Sequence, residues 1–228
     1  MEALVLVENS SEFELYRLSQ HYYGEDFEKK PPIYLDQYER LFGAMRHKPI
    51  RLLELGVRFG ASMCVWRDYF SAATIVGLDI DNRPKKFPAD ERVHFVQGSQ
   101  DDPAALDGCA RIAGGPFDII IDDASHIGHL SAASFAHLFP RALKPGGYYV
   151  IEDICTAFLP EFPDSEPCLL PVIGEREGQR FRSQNAGMVG VVKQIFDHAM
   201  GSLARGGPTE YDIEVMTILV NIAIIKKR

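Results

Sequence analysis

Two pairs of acidic residues follow apolar runs in the sequence and are the positions best suited to chemistry. Asp122 and Asp123 end the run FDIIIDD, and Glu152 and Asp153 end the run YYVIED. His126 lies three residues after the first pair. Carboxylate oxygens are the ligands that Mg²⁺, Mn²⁺ and Ca²⁺ prefer, and a neighbouring imidazole can accept a proton. The pattern therefore predicts a metal site with a general base beside it.

Such a site is suited to activating a hydroxyl group. An alcohol is a poor nucleophile at neutral pH, and a divalent cation lowers the pKa of an oxygen bound to it. His126 would then accept the released proton. A cation held by carboxylates can keep coordination positions for two adjacent hydroxyls, so a vicinal diol, as on a sugar, would fit.

Alternating strand and helix patterns must position these acids. Helical patterns cover 61–70 and 131–143. Apolar runs of strand length lie at 50–56, 73–80, 92–98, 117–123 and 148–153. This alternation predicts parallel strands joined by crossover helices. Ligands of open parallel sheets bind outside the carboxyl ends of the strands, so both acid pairs should face one crevice.

The end of the chain has a different pattern. The runs 215–220 and 222–227 are separated by Asn221 alone, which predicts a tight antiparallel hairpin. We therefore predict a Rossmann-like α/β fold: a seven-stranded, mostly parallel sheet with a C-terminal antiparallel hairpin and helices on both faces.

Length and composition favour one substantial globular domain. The 228 residues are 46% hydrophobic and 25% charged, which suffices for a well-buried core. We assign 50–228 to this domain and 1–49 to a helical or irregular N-terminal extension. Residues 154–187 are rich in Pro, Gly and charge and are too long for a simple connection, so we expect an active-site loop there.

Charge, hydropathy and cysteine spacing limit the expected partners and location. The net charge of −8, with scattered Lys and Arg, argues against nucleic acid. No stretch approaches the ~18 apolar residues of a membrane span. Four widely spaced cysteines favour free thiols, so we expect a cytoplasmic protein. The expected partner is a small molecule. Aromatic residues near the N-terminus are compatible with a homo-oligomer.

A second ligand site is indicated where the first strand turns into the first helix. The segment ELGVRFG places Gly56 and Gly60 in this turn, where glycine lets the backbone approach a ligand. Asp79 follows 23 residues after Gly56, close to the ~20-residue spacing of an acid that binds a nucleotide ribose. The glycine pattern is G-x-x-x-G rather than G-x-G-x-x-G, so alone it equally describes an ordinary strand-to-helix turn.

Together, these motifs resemble the class I S-adenosylmethionine-dependent methyltransferases. The resemblance is carried by ELGVRFG, GLDI at 77–80, the PGG of 145–147 and the closing hairpin. More narrowly, YLDQYERLFG, IIIDDASH and VIEDICTAFLPEF at 34–43, 119–126 and 150–162 are similar to the metal-dependent sugar O-methyltransferases that tailor macrolide antibiotics, of the mycinamicin type.

The resemblance implies a cofactor set and a residue set. Mg²⁺, or another hard divalent cation, would be held by Asp123, Glu152 and Asp153, with His126 as the general base. S-adenosylmethionine would be the methyl donor. The donor-binding residues that the resemblance implies are Glu54, Gly56, Gly60, Ser62, Asp79, Gly98, Ser99, Gln100, Asp101 and Asp122.

The expected activity is methyl transfer to a hydroxyl of a sugar or another polyhydroxylated natural product, in antibiotic biosynthesis. A catechol or phenol acceptor is an alternative. A nicotinamide oxidoreductase would use the same sheet, but the glycine pattern and the terminal hairpin argue against it. A silent methyltransferase-like partner subunit is a third alternative. The acids could also be solvated loop carboxylates or caps of the helices that follow them. His126 and His129 have a spacing that occurs in zinc sites, but without further ligands such a pair is usually incidental.

Overall fold

The computed structural model describes residues 13–24, 30–82, 87–166, 173–206 and 211–228. The α-helices in these ranges are Glu14–Tyr23 (α1), Pro32–Phe42 (α2), Ala61–Tyr69 (α3), Pro103–Ile112 (α4), Gly128–Ala142 (α5) and Gly187–Arg205 (α6). The strands are Arg51–Leu55 (β1), Thr74–Asp79 (β2), Val93–Gln97 (β3), Phe117–Asp122 (β4), Leu143–Glu152 (β5), Arg176–Glu177 (β6), Arg180–Phe181 (β7), Ile213–Leu219 (β8) and Ile222–Lys227 (β9).

Seven strands form one sheet in the order β3-β2-β1-β4-β5-β9-β8. The five strands from β3 to β5 are parallel, whereas β9 is antiparallel to both β5 and β8. The predicted sheet and its terminal hairpin are confirmed. The central strands are nearly continuous apolar runs because both of their faces are covered.

Two apolar layers lie on opposite faces of the sheet. On one face the strands pack against α4, α5 and α6, through residues such as Leu106, Phe135 and Val192. On the other face they pack against α1, α2 and α3, through Leu15, Tyr38 and Trp66. The prediction of helices on both faces is confirmed, and the described part of the N-terminal extension supplies two of those helices.

The region predicted as an active-site loop has some regular structure of its own. It begins with a short 3₁₀ helix, Ile154–Phe158, and contains the small hairpin of β6 and β7, which the sequence did not predict. Residues 167–172 of this region lie outside the described residues. No helix in the described ranges is both long and apolar enough to cross a membrane.

Candidate active site

The turn after β1 and the turn after β4 are in close contact. Gly56 has φ +83°, a conformation that glycine adopts readily. A Cβ atom at this position would lie 2.3 Å from the carbonyl oxygen of Asp123 and 2.5 Å from the Cα of Ala124. The Asp123 backbone N–H donates to the carbonyl of Leu55 at 3.0 Å. The missing side chain of Gly56 therefore brings the two strand ends together.

Asp79, at the end of β2, supports the same turn. Its Oδ2 accepts the backbone N–H groups of Val57 at 2.9 Å and of Arg58 at 2.8 Å. Arg58 has φ +42°, which side chains rarely adopt, so these charge-assisted bonds stabilise a strained turn. Asp79, which was predicted to bind a ribose, thus also stabilises the turn after β1.

The two acids at the end of β4 have different environments because successive side chains of a strand point to opposite faces. Asp122 lies beneath the site, where its Oδ1 accepts the Gln100 amide at 3.2 Å. Burial raises the pKa of Asp122 to about 6. Asp123 follows the last strand residue and points toward the carboxyl end of β5. Asp122 therefore lies in the interior, whereas Asp123 lies in the candidate site.

His126 and Asp153 converge with Asp123 at this edge. His126 Nε2 lies 3.6 Å from Asp153 Oδ2 and 3.9 Å from Asp123 Oδ1. One ligand atom from each of the three residues falls within 4.8 Å of the others, a grouping that could hold a metal ion. His126 has φ +53° and Asp153 has φ +56°, both in the left-handed region. Such strain in two neighbouring polar residues is typical of functional sites.

Lys30 enters the same cluster from the segment before α2. Its ammonium donates to Asp123 Oδ2 at 2.8 Å and to both oxygens of Glu152 at 2.9 Å. It also lies 3.4 Å from Glu54 Oε1. Burial lowers the pKa of an ammonium, but the three carboxylates outweigh it and raise the pKa of Lys30 well above its usual value. Burial and Asp123 raise the pKa of Glu152, and Lys30 opposes that rise.

Tyrosines of α2 and the turn of the terminal hairpin hold the second acid pair. Tyr38 donates its hydroxyl to Glu152 Oε1. Tyr34 donates to Asp153 Oδ1 at 2.9 Å, and its hydroxyl also lies 2.7 Å from the carbonyl of Asn221. The Asn221 amide donates to the same Asp153 oxygen at 2.9 Å. Asp153 is therefore oriented by residues far from it in sequence.

A cavity of about 690 Å³ opens at this edge of the sheet, a size typical of small-molecule sites. Seven of the residues predicted from the sequence line it: Gly56, Ser62, Asp79, Asp123, His126, Glu152 and Asp153. Lys30 and Tyr23 line it as well. The structure therefore places the predicted donor turn and the predicted metal site on one cavity.

The other predicted donor residues lie around this cavity rather than on its lining. Glu54 is fully buried at the end of β1, and its Oε2 accepts the indole N–H of Trp66 at 3.1 Å. Gly60, with φ +85°, precedes α3. Gly98 follows β3 beside Asp79, since its N–H donates to the Asp79 carbonyl at 2.9 Å. Ser99 and Asp101 bond each other on the surface, and Gln100 lies with Asp122 in the interior.

The donor atoms of the cluster fit a hard divalent cation. Asp123, Glu152 and Asp153 offer carboxylate oxygens, which suit Mg²⁺. The Nδ1 atom of His126 is buried and lacks a hydrogen-bond partner, so this imidazole is not committed to a structural role through that nitrogen. The residues present are therefore compatible with the cation that the motifs imply.

Sequence reasoning missed four residues of the site. Tyr34 and Tyr38 are spaced by four, which places them on one face of a helix, and this spacing was the available signal. Asn221 was recognised only as a turn residue. Lys30 has no local signal, because nothing in KKPP distinguishes a buried lysine from a solvated one.

The strand order with an antiparallel β9 between β5 and β8 is the fold of the class I S-adenosylmethionine-dependent methyltransferases. A solved structure of the MycE methyltransferase from the mycinamycin biosynthetic pathway, in complex with Mg, SAH and mycinamycin VI, has this fold. It superposes with a TM-score of 0.73 and 31% identity, over 96% of this chain and 54% of that one. No model of a known protein family matches the sequence.

Curated relatives agree with the structural likeness. The 8-demethyl-8-(2-methoxy-α-L-rhamnosyl)-tetracenomycin-C 3′-O-methyltransferase of Streptomyces olivaceus is 43% identical over 132 residues, 55% of this chain and 33% of the relative. The 2′-O-methyltransferase for 8-demethyl-8-α-L-rhamnosyl tetracenomycin-C from the same organism is 32% identical over 208 residues, 86% of this chain and 50% of the relative. The chain thus spans half or less of these relatives. The resemblance to sugar O-methyltransferases of antibiotic pathways is confirmed.

Proposed function

We propose that this protein is a metal-dependent O-methyltransferase that transfers the methyl group of S-adenosylmethionine to a hydroxyl of a glycosylated natural product. The observation that carries the proposal is the shared cavity: the Gly56 turn and Asp79 line one part, and Asp123, His126 and Asp153 line the other. A methyl donor and a hydroxyl acceptor bound in these two parts would be adjacent.

The residues divide into a donor group and an acceptor group. Gly56 and Asp79 shape the donor part, and Glu54 would face the amino acid end of the donor from below. Asp123, Glu152 and Asp153 would hold the divalent cation. When bound, the cation supplies positive charge that lowers the pKa of a coordinated substrate hydroxyl. Tyr34, Tyr38 and Asn221 keep the second acid pair oriented.

His126 is the proposed general base. Its position beside Asp123 and Asp153 allows it to accept the hydroxyl proton while the oxygen attacks the methyl carbon. One C–O bond forms as the C–S bond breaks, and the electron pair of that bond stays on sulfur, which leaves S-adenosylhomocysteine. The sulfonium already makes the methyl group electrophilic, so the protein mainly supplies alignment and exclusion of water.

The proposed acceptor is a deoxysugar with adjacent hydroxyls attached to a larger aglycone. The names of the relatives include rhamnosylated substrates, and the name of the solved complex includes mycinamycin VI. In addition, a cation held by the carboxylate cluster could bind both hydroxyls of a vicinal diol. Phe162, from the long loop, has its ring centroid 6.2 Å from that of His126, where it would cover the acceptor.

Methyl transfer is better supported than the alternatives. The relatives are named as O-methyltransferases, which favours this activity over hydride transfer. Asp123, His126, Glu152 and Asp153 are all present, which argues against a silent partner subunit. A cytoplasmic location remains part of the proposal and is supported by Cys109 and Cys155, which are free thiols.

The test combines an acceptor series with a conservative variant. Purified protein is incubated with S-adenosylmethionine, Mg²⁺ and rhamnosides that carry or lack a vicinal diol, and S-adenosylhomocysteine is quantified by mass spectrometry. We expect product only with a diol and a cation, and a loss of at least about 100-fold in Asp153→Asn. Asparagine tolerates the left-handed backbone of this position, so the fold is preserved.

A matched control is Asp107→Asn, which removes a carboxylate from the exposed face of α4, where its partner is His137. This variant should keep full activity. Product formation that survives complete chelation of divalent cations would contradict metal dependence, and failure of every acceptor to yield product would contradict the proposed activity.

A further inference from the structure

Lys30 is a buried ammonium within the acid cluster. It is 5% exposed, and its carboxylate partners Glu152 and Glu54 are 2% and 0% exposed. Its ammonium lies at hydrogen-bond distance from three oxygens, one of Asp123 and two of Glu152. Burying a lysine is costly unless its charge is balanced by acids. The carboxylates of the cluster therefore stabilise the buried ammonium of Lys30.

The charge of the cluster exceeds what one ammonium neutralises. Lys30 lies within 4.0 Å of three carboxylates, those of Glu54, Asp123 and Glu152. The Oε1 atom of Glu54 is buried without a hydrogen bond. A group of three acids with one unsatisfied oxygen is suited to a cation of higher charge.

The ammonium occupies the oxygens that a divalent cation would need. Asp123 and Glu152 are two of the three proposed cation ligands, and Lys30 contacts both Glu152 oxygens at 2.9 Å. Oxygen ligands of Mg²⁺ lie about 2.1 Å from the ion. Two positive charges sharing these carboxylates would repel each other in a site of low dielectric. The cation and the ammonium would therefore compete for Glu152.

We propose that Lys30 is an internal competitor of the divalent cation: its ammonium holds Asp123 and Glu152 in the cation-free protein and withdraws when the cation binds. This inference rests on the proposed function, because it concerns the same cation site. It gives Lys30 two effects. The residue stabilises the protein without cation, and it lowers the affinity of the site for cation.

The experiment measures Mn²⁺ binding directly, by the electron paramagnetic resonance signal of free Mn²⁺, in the wild-type chain and in Lys30→Met. Removing the competitor should tighten Mn²⁺ binding by at least about tenfold. Lys30→Arg keeps a cation near the acids and should bind Mn²⁺ as weakly as the wild type. A purely structural role predicts the opposite result for Lys30→Met, since a disordered cluster binds Mn²⁺ more weakly.

Lys144→Met is the matched control. Lys144 is also paired with an acid, 2.7 Å from Asp118, but that pair lies at the opposite end of β4, so Mn²⁺ affinity should not change. If Lys30→Met does not fold alone, circular dichroism during Mn²⁺ titration replaces the binding measurement. Folding induced by Mn²⁺ supports the proposal, and absence of folding at saturating Mn²⁺ overturns it.

The outcomes separate this inference from the proposed function. Mn²⁺ binding by Lys30→Met that is equal to or weaker than wild-type binding overturns the competition, even if the wild-type protein methylates its acceptor. Absence of methyl transfer by the wild-type protein at saturating Mn²⁺ overturns the proposed function, even if Lys30→Met binds Mn²⁺ more tightly.

Discussion

Gly56→Ala tests the contact that joins the donor turn to the acid cluster. The substitution has two costs. An L-residue at φ +83° is strained by about 1–2 kcal/mol. The new methyl group would also lie 2.3 Å from the Asp123 carbonyl oxygen and 2.8 Å from its carbonyl carbon, and both are backbone atoms that cannot rotate away. Overpacking of this kind costs about 1–3 kcal/mol. We therefore expect a total loss of about 2–5 kcal/mol in the free energy of unfolding.

Gly146→Ala is the control for the strain alone. Gly146 has φ +77°, but a Cβ atom there would have no neighbour within 4 Å. The difference between the two variants isolates the clash, which should be about 1–3 kcal/mol. Urea unfolding followed by the fluorescence of Trp66, the single tryptophan of the chain, measures both values.

Ligand binding gives a second measurement for the same variant. Displacement of the Asp123 backbone should weaken both S-adenosylmethionine and Mg²⁺ binding in calorimetric titrations of Gly56→Ala, whereas Gly146→Ala should bind both normally. Equal unfolding free energies for the two variants would refute the assigned contact. So would loss of donor binding with unchanged Mg²⁺ binding, because the clash involves the residue that bears a proposed cation ligand.

Three further predictions concern other parts of the site and the thiols. Tyr34→Phe removes the hydroxyl that bonds Asp153 and should lower the unfolding free energy by about 1–2 kcal/mol, measured by urea unfolding, together with Mg²⁺ affinity. Asn221→Ala should destabilise the protein more than Asn221→Gly in the same assay, since position 221 has φ +69°. Burial raises the pKa of Cys109 to about 12, so iodoacetamide at pH 9 should label exposed Cys155 and not Cys109 in the native protein, as mass spectrometry would show.

Much of the fold was predictable from local patterns. Central strands such as FDIIIDD are apolar because both faces are covered, and the single Asn221 between two apolar runs predicts the hairpin that the structure contains. Because ligands of open parallel sheets bind outside the carboxyl ends of the strands, Asp123 and Asp153 could be predicted to face one crevice. The small β6–β7 hairpin was not predicted, because strands of two residues leave no periodic signal.

The packing inside the site was less predictable because it depends on contacts between distant residues. The Gln100 amide, for example, donates to Asp122 in the interior, because the strand pleat turns Asp122 away from the cavity. Lys30 reaches Glu152 across 122 positions of sequence. No window of sequence contains both residues, so neither periodicity nor spacing could reveal the pair.

The bonds of Asn221 have a consequence for the order in which the protein matures. Its amide orients Asp153 at 2.9 Å, its carbonyl accepts the N–H of Ile154 at 3.2 Å, and β9 inserts between β5 and β8. A chain emerging from the ribosome can pair β1, β2, β3 and β4 before β9 exists, so the donor turn can form early. The acid cluster must wait for the final hairpin, a contact of long sequence separation. A nascent chain would thus acquire its methyl-donor half first and its acceptor half only when synthesis has passed β9.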